Sequence, residues 1–376
     1  MSLHRLCDTV FELNKILLID NNFDFRYNDG VGRYSSELYN ELNRGHQGYE
    51  FISTDDLSKY KNPYLRFIDT RYRVKKAMKK IEDLKVIHLI KPEDIITIPK
   101  IPYGVSLLVS WHDLIRINEF GLKRFPTNKA TSHMPNRFLA FYIIRRGYVR
   151  AYKKSSVILA VSTKTRDEIV DWANRLKIYD REKDIVIVNP GINHRFIEST
   201  PYEGKRNDFV YIGNIYKSTD LLNIFYEIHL RLPDQKLHIF TNTENPYELI
   251  HDRVRRDNIV NIMPNIRIHV NKSDDDIIDK TKRSIALLHT VGSEGFGFTI
   301  LETLALGTPV IILKGAKITP EVSRYTFKLD KGEIPTFCEQ LYLSQAPAEQ
   351  QAISYAKSFT YKKTAQSVKS IYERYL

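Results

Sequence analysis

The feature of this sequence that most constrains its fold is a regular alternation of short apolar runs with helical patterns. The runs are four to six residues long and are rich in Ile, Val and Leu. Continuous runs of this kind are typical of parallel strands buried on both faces, with helices covering the sheet. The sequence therefore predicts an α/β fold, with strands at Lys15–Asp20, Val86–Ile90, Ser106–Ser110, Val157–Val161, Ile185–Val188, Phe209–Ile212, Lys236–Phe240, Ser284–His289 and Pro309–Leu313.

Two domains are expected from the length of the chain and from one polar break. At 376 residues the chain is long for a single core. Pro and Gly residues mark the stretch 189–208, which has little apolar content after Phe196. We therefore predict an N-terminal domain, a linker, a C-terminal domain and a final helix over 1–190, 191–207, 208–355 and 356–376, respectively.

The composition favours a globular protein of a reducing compartment. Cys7 and Cys338 are too few and too far apart for a disulfide framework. The first residues are polar and mixed rather than of secretory type, and no apolar run approaches the roughly 20 residues that a membrane span requires. We expect a cytoplasmic protein that is at most peripheral to the membrane.

Positive charge is concentrated in the first half of the chain. Residues 1–200 hold 34 Lys and Arg against 24 Asp and Glu, whereas the remainder holds 23 against 21. Six basic residues lie within 71–80, and no acid occurs between Glu119 and Asp167. Basic helices interleaved with Tyr, Phe and Ile suit an anionic membrane surface or an anionic acceptor. Charge alone also fits nucleic acid or a solvated face.

The stretch from Ser293 to Glu302 carries the strongest chemical signal. It places two glycines, Gly295 and Gly297, between a predicted strand and a helical run. Backbone N–H groups at such a helix start can bind a phosphate, and the carboxylates at each end can accept hydrogen bonds from hydroxyls. A structural alternative explains one carboxylate only, because Thr299 to Glu302 also fits a capping box.

This stretch resembles a known donor-site signature. Glu-Gly-Phe-Gly-Phe at 294–298, Leu-Glu at 301–302 and Leu-Ala-Leu-Gly-Thr-Pro-Val-Ile at 304–311 look like the motif of the retaining GT-B glycosyltransferases of family 4, the group 1 glycosyl transferases. The resemblance implies two Rossmann-like domains whose parallel sheets face a central cleft, with a C-terminal helix crossing back to the N-terminal domain. It also implies a nucleotide sugar on the C-terminal domain and an acceptor on the N-terminal one.

Weaker matches follow in the same order along nearly the whole chain, at 29–38, 111–114, 160–162, 188–196 and 210–217. Carried over residue by residue, the resemblance implies three catalytic positions, His112, Asp113 and Glu294. The donor-binding residues that it implies are Gly30, Gly32, Arg33, Gly213, Lys217, Gly295, Phe296, Gly297, Phe298, Thr299 and Glu302.

The donor loop departs from the family pattern. The family usually has an Arg directly after the glycine, and here Asn214 stands in that place. Ser218 likewise replaces the usual Gly after the Lys. Lys217 would then neutralise the leaving diphosphate alone or with help from another basic residue, for which Arg33 is the candidate.

A metal site is not expected. Ser273-Asp274-Asp275-Asp276 invites a metal interpretation, but Ser273 is a good N-cap and acids favour the first turn of a helix. The resemblance likewise implies an enzyme that works without a bound metal or cofactor.

The resemblance implies hexose transfer from a nucleotide sugar to a hydroxyl of a glycan or lipid-linked acceptor, with retention. GDP-mannose is the first expectation for the donor, while UDP-glucose, UDP-galactose and UDP-N-acetylglucosamine stay open. His112 and Asp113 would position the sugar and the acceptor rather than act as nucleophile. The alternatives are a GT-B sugar-nucleotide epimerase or phosphorylase, or a catalytically weak membrane- or nucleic-acid-binding protein. Nucleic acid is not the expected partner.

Overall fold

The structure, a computed structural model, describes residues 15–20, 30–44, 49–53, 63–114, 137–218 and 220–376. The chain divides into two compact units. The first comprises Met1–Gly191 together with Tyr361–Leu376, and the second comprises Ile192–Thr360.

The described residues of the first unit form a sheet of six parallel strands in the order β2-β1-β3-β4-β5-β6. They are β1 (Ile16–Asp20), β2 (Tyr49–Ser53), β3 (Val86–Leu89), β4 (Ser106–Trp111), β5 (Val157–Ala160) and β6 (Asp184–Ile187). The helices described after them are α1 (Gly30–Asn43), α2 (Pro63–Lys80), α3 (Arg137–Lys154) and α4 (Thr163–Arg175), with a 3-10 helix at Pro92–Thr97.

Both faces of this sheet are buried, which explains the continuous apolar runs. Leu17 and Ile19 of β1 belong to a core formed with α2, α3 and α4. Ile16 and Leu18 of the same strand belong to a core on the opposite face, together with Leu38 of α1. Successive side chains of a strand point to opposite faces, so the positions from Ile16 to Ile19 are all apolar, and only Asp20 at the strand end is polar.

The second unit has the same plan, with six parallel strands in the order β12-β11-β10-β7-β8-β9. They are β7 (Phe209–Ile212), β8 (Leu237–Thr241), β9 (Ile266–Val270), β10 (Ala286–His289), β11 (Val310–Leu313) and β12 (Phe327–Leu329). Its helices are α5 (His194–Glu198), α6 (Leu221–Arg231), α7 (Pro246–Arg256), α8 (Asp274–Lys282), α9 (Phe298–Ala305), α10 (Pro320–Ser323), α11 (Ile334–Ser344) and α12 (Gln350–Lys357), with 3-10 helices at Ile215–Lys217 and Val260–Asn265.

The final helix, α13 (Tyr361–Tyr372), belongs to the first unit. Val368 and Tyr372 are buried against the core that contains β1 and α1. The Tyr372 hydroxyl hydrogen-bonds His88 Nδ1 at 2.7 Å, and Thr364 Oγ1 donates to the carbonyl of Asn189 at 2.9 Å. None of the described helices is long and apolar enough to cross a membrane.

The predicted linker needs correction. Residues 192–207 are packed into the second unit, where α5 buries Phe196. The Arg206 side chain is also buried, and its Nη1 donates to the carbonyl of Lys282 at 2.8 Å and to Thr308 Oγ1 at 3.0 Å. The stretch is therefore part of a folded unit and includes a buried, hydrogen-bonded arginine.

The strand order reverses once in each sheet, between β1 and β3 and between β7 and β10. Connections leave such a pair of strands in opposite directions, which opens a crevice at their carboxyl ends. Ligands of doubly wound α/β domains bind there. The site residues can therefore be sought at two defined places.

Candidate functional site

In the second unit, the carboxyl ends of β7 and β10 bring Lys217 and Glu294 together. Lys217 ends the 3-10 helix after β7, and Glu294 lies in the loop after β10. Lys217 Nζ is 3.9 Å from Glu294 Oε2, and the two side chains are 49% and 23% exposed, respectively. A cation and a carboxylate are thus placed side by side within reach of solvent, where each can contact a ligand.

The loop that carries Lys217 is held by residues distant in sequence. Arg253 of α7 donates from Nη1 to the carbonyls of Ile215 and Ser218, at 3.2 and 2.7 Å. Thr243 Oγ1 accepts from the N–H of Ile215 at 3.2 Å. Arg253 is partly buried, and burial lowers the pKa of its guanidinium. The prediction of site residues missed Arg253, which has no signal in the local sequence.

Asn214, the departure from the family pattern, has a structural part in this loop. Its side-chain oxygen accepts from the N–H of Tyr216 at 2.9 Å and so caps the 3-10 helix. The buried Tyr211 hydroxyl donates to the Asn214 carbonyl at 2.9 Å, and burial raises the pKa of Tyr211. Gly213 has φ +146°, which favours glycine between strand and loop.

The Glu294 loop is pinned by pairing with a second segment. The N–H of Glu294 donates to the Lys317 carbonyl at 3.3 Å, and the N–H of Lys317 donates to the Gly292 carbonyl at 2.8 Å. Ser293 and Lys317 form an isolated parallel bridge. These hydrogen bonds hold the backbone of Glu294 in place and so define where its side chain begins.

Helix α9 begins immediately after Gly297, which is its N-cap. Gly297 has φ +99°, and a Cβ at this position would lie 3.1 Å from Val322 Cγ1. Glycine is therefore favoured both by the backbone conformation and by the close approach of α10. Phe298 and Thr299 follow in the first turn, where backbone N–H groups are available to an anion.

One sequence interpretation of this helix changes. Thr299 is the second residue of the helix and not its N-cap, so the capping-box alternative is wrong. Donor binding by Phe296 and Glu302 stays a prediction. The Phe296 ring is buried against Phe298 and Phe359, with centroids 5.3 and 6.0 Å away. Glu302 is 7% exposed.

In the first unit, the N-terminus of α1 lies beside His112, the first residue after β4. The ring of Tyr34 contacts that of His112 edge-on, with centroids 4.7 Å apart. His112 Nε2 donates to the carbonyl of Ile90 at 3.1 Å. Burial raises the pKa of Tyr34 to about 12. The predicted residues Gly30, Gly32 and Arg33 occupy the first turn of α1, and Asp113 is partly exposed next to His112.

A buried polar cluster at the end of β1 was not predicted. Lys91 Nζ lies 3.2 Å from Asp20 Oδ1, and Ser35 Oγ donates to Asp20 Oδ2 at 2.6 Å. All three residues are buried at the point where the strand order reverses. The three residues lie far apart in the sequence, so no local motif predicts this cluster.

The Asp-rich stretch forms a helix cap. Ser273 and Asp276 make the reciprocal bonds of a capping box at the start of α8, which confirms Ser273 as the N-cap. Within the described part of the chain, no three His, Cys, Asp or Glu side chains are grouped as a metal site would require.

Comparison with known families gives one match. The family described as glycosyl transferases group 1 matches residues 194–328, which lie within the second unit. The match includes the loops of Lys217 and Glu294. No protein of curated function matches the chain.

Comparison with solved structures supports the architecture. A glycosyltransferase from Rickettsia africae is 15% identical with a TM-score of 0.64, covering 96% of this chain and 98% of that one. Sucrose-phosphate synthase from Thermosynechococcus elongatus is 12% identical with a TM-score of 0.69 at the same coverage. HepE from Anabaena, solved with UDP and glucose, is 13% identical with a TM-score of 0.64, covering 96% and 99%. The chain therefore has the GT-B fold, with two Rossmann-like domains.

Proposed function

We propose that this protein is a retaining glycosyltransferase of group 1 that transfers a hexose from a nucleotide sugar. One observation carries the proposal: Lys217 and Glu294 lie 3.9 Å apart where the strand order reverses, next to the glycine-initiated helix α9. A cation and helical N–H groups suit a diphosphate, and a carboxylate suits sugar hydroxyls. The family match over 194–328 supports the same reading.

The proposed chemistry is electrostatic and needs no metal. The bond between the anomeric carbon and the diphosphate breaks, and Lys217 with the N–H groups of Phe298 and Thr299 stabilises the leaving charge. The leaving phosphate oxygen takes the proton of the attacking hydroxyl, whose oxygen forms the new bond on the same face of the sugar. Glu294 holds the sugar through its hydroxyls, while His112 and Asp113 of the first unit position the acceptor.

The donor is proposed to be a UDP-sugar or GDP-mannose. The UDP bound to Anabaena HepE, a structure of the same fold, supports a uridine donor. In the first unit, the Gly-x-Gly-Arg-Tyr loop at 30–34 and His-Asp-Leu at 112–114 resemble motifs of mannosyltransferases, which supports GDP-mannose. A glycan or lipid-linked hydroxyl is the proposed acceptor.

The test is a turnover assay with UDP-glucose, UDP-galactose, UDP-N-acetylglucosamine and GDP-mannose, each with and without EDTA. Release of nucleoside diphosphate identifies the donor, and NMR of the product gives the anomeric configuration. Lys217→Ala and Glu294→Gln should each lower kcat by roughly 10²–10³. Lys314→Ala, on an exposed lysine of the same unit, is the control.

Near-normal turnover in both site variants would refute the assignment of Lys217 and Glu294. Inverted product would refute retention, and loss of activity with EDTA would refute metal independence. A product with an epimerised sugar and no transfer would favour the epimerase alternative.

We further propose that the first unit works on an anionic membrane surface from the cytoplasmic side. On α2, Ile68 and Tyr72 are 62% and 64% exposed on the helix face that also carries Lys75, Lys76 and Lys79. On α3, Tyr142 and Ile143 are exposed next to Arg145 and Arg146. Both helices pack on the 3-10 helix Pro92–Thr97. Exposed apolar side chains among cations are typical of interfacial helices.

Liposome co-sedimentation tests this surface. Binding should require anionic lipid, should fall steeply with salt, and should weaken in the double variant Ile68→Ser/Tyr72→Ser. The matched control is Leu230→Ser/Tyr247→Ser, which removes two exposed apolar side chains from the second unit. Equal binding of both double variants would contradict the proposal.

A further inference from the structure

His289, the last residue of β10, is buried without a hydrogen-bond partner. The residue is 2% exposed, and its backbone lies opposite Ile312 of β11 in the sheet. Neither Nδ1 nor Nε2 has a partner among the described residues. Burial lowers the pKa of His289, so the ring is neutral and carries one N–H donor and one acceptor. Leaving both unpaired disfavours the folded state.

Among the described residues, the strongly buried imidazole of His88 is hydrogen-bonded at both nitrogens. His88 bonds Tyr372 through Nδ1 at 2.7 Å and Ser110 through Nε2 at 2.8 Å. The partly buried His238 is bonded at both nitrogens as well, to His269 and to Asp208. Burial of a histidine in this protein therefore does not by itself leave both ring nitrogens unpaired; His229 lacks a partner at the buried Nδ1, whereas His289 lacks one at both nitrogens.

That position is the candidate donor site. The next residue, Thr290, is hydrogen-bonded through its hydroxyl to that of Ser218, which directly follows Lys217. The strand end bearing His289 is thus tied to the loop bearing Lys217. Glu294 and Lys217 also act on the pKa of His289 in opposite directions, as charged groups near the ring. Unsatisfied buried groups that persist at such places are candidates for ligand contacts.

We propose that the N–H of His289 donates a hydrogen bond to the diphosphate of the donor, beside Lys217. The inference rests on the proposed function and adds a side chain to Lys217 and the N–H groups of Phe298 and Thr299 at the leaving diphosphate. A neutral N–H suits this task because a hydrogen bond to an anionic oxygen is charge-assisted without requiring a second cation. This hydrogen bond would give the diphosphate a further contact in a chain that has Asn214 in place of the family's arginine.

The experiment compares His289→Leu and His289→Gln with the unmodified protein. Calorimetric titrations measure affinities for UDP, GDP, UMP and GMP, and thermal melts measure stability. His289→Leu should raise the Tm by about 2–4 °C, because it replaces an unpaired polar ring by an apolar side chain. It should weaken binding of the preferred nucleoside diphosphate roughly tenfold or more, and of the matching monophosphate little. His289→Gln keeps an N–H donor and should lose less affinity.

His229→Leu is the matched control. His229 lies on α6 in the same unit and also has a buried Nδ1 without a partner among the described residues. The His229→Leu variant should have a changed Tm and an unchanged affinity for nucleotides.

Unchanged diphosphate affinity in His289→Leu would overturn the inference, as would a lowered Tm, since the ring would then be paired in the free protein. Equal loss for diphosphate and monophosphate would also overturn it. If the unmodified protein binds none of the four nucleotides and no nucleotide sugar, the proposed function itself fails.

Discussion

At the scale of single residues, Arg253 is the most informative position outside the Ser293–Glu302 stretch. It lies 38 and 35 residues from the two carbonyls that it bonds, Ile215 and Ser218. These carbonyls flank Lys217, so Arg253 fixes the backbone from which the Lys217 side chain extends. It is a positioning residue, because its side chain bonds these two backbone carbonyls and neither Lys217 nor Glu294.

Replacing Arg253 should therefore impair donor binding through Lys217. We expect Arg253→Ala to raise the KM for the donor roughly tenfold, because two charge-assisted hydrogen bonds to the loop are lost. Arg253→Lys restores one donor and should recover part of the loss. Steady-state kinetics separate KM from kcat. Arg255→Ala, two positions along the same helix and exposed, is the control. An Arg253→Ala enzyme with unchanged KM and kcat would refute this role.

Whether the sequence predicts a site residue depends on how far apart along the chain the residue and its partners lie. The sequence predicts Glu294 and Gly297 as site residues because the strand, loop and helix that they join are consecutive. Arg253, His289 and the Asp20–Lys91 pair were not found, because their partners or their lack of partners arise only when separated strands are brought side by side. No local pattern encodes such contacts.

At the scale of elements, the start of α9 depends on one glycine. Gly297→Ala should lower stability by roughly 1–2 kcal/mol from its positive φ alone. The clash with Val322 should shift the helix start and weaken nucleotide binding as well. Gly315→Ala is the matched control, because Gly315 has φ +83° with open space around the position of a Cβ. Thermal melts and nucleotide titration distinguish the two effects.

If both alanine variants lose the same stability and bind nucleotide equally well, the approach of α10 to Gly297 has no functional consequence. A selective loss of binding in Gly297→Ala is the expected outcome.

The strands missed by sequence analysis share one property. β2, β9 and β12 were not predicted, and each lies at the edge of its sheet. Edge strands are covered less completely, so they need no continuous apolar run. β9 reads Ile-Arg-Ile-His-Val, and β12 is only three residues long. The hydrophobic pattern identified the interior strands and one edge strand, β6, whereas the other three edge strands required the tertiary structure.

At the scale of the whole molecule, each unit contains a buried, neutral histidine. In the first unit, burial lowers the pKa of His88 to about 3. The unfolded chain binds a proton at that histidine below about pH 6.5, whereas the folded unit does not. The free energy of unfolding therefore falls as the pH is lowered from 6.5 towards 3.

We expect the first unit to lose about 2 kcal/mol of stability through His88 between pH 7 and pH 5. Both tryptophans of the chain, Trp111 and Trp172, lie buried in this unit. Urea unfolding followed by tryptophan fluorescence thus reports on it selectively. His88→Gln should flatten this part of the pH dependence. An identical slope in His88→Gln would show that other groups cause it.

The return of α13 to the first unit has a consequence for the making of the protein. Synthesis is vectorial, and residues 361–372 leave the ribosome only after all of 192–360. The second unit is contiguous and can fold as soon as it emerges. The first unit, although begun earlier, keeps the apolar surface beneath α13 exposed until the returning helix arrives. The domain started first is thus finished last, and its nascent form is a predicted client for chaperones.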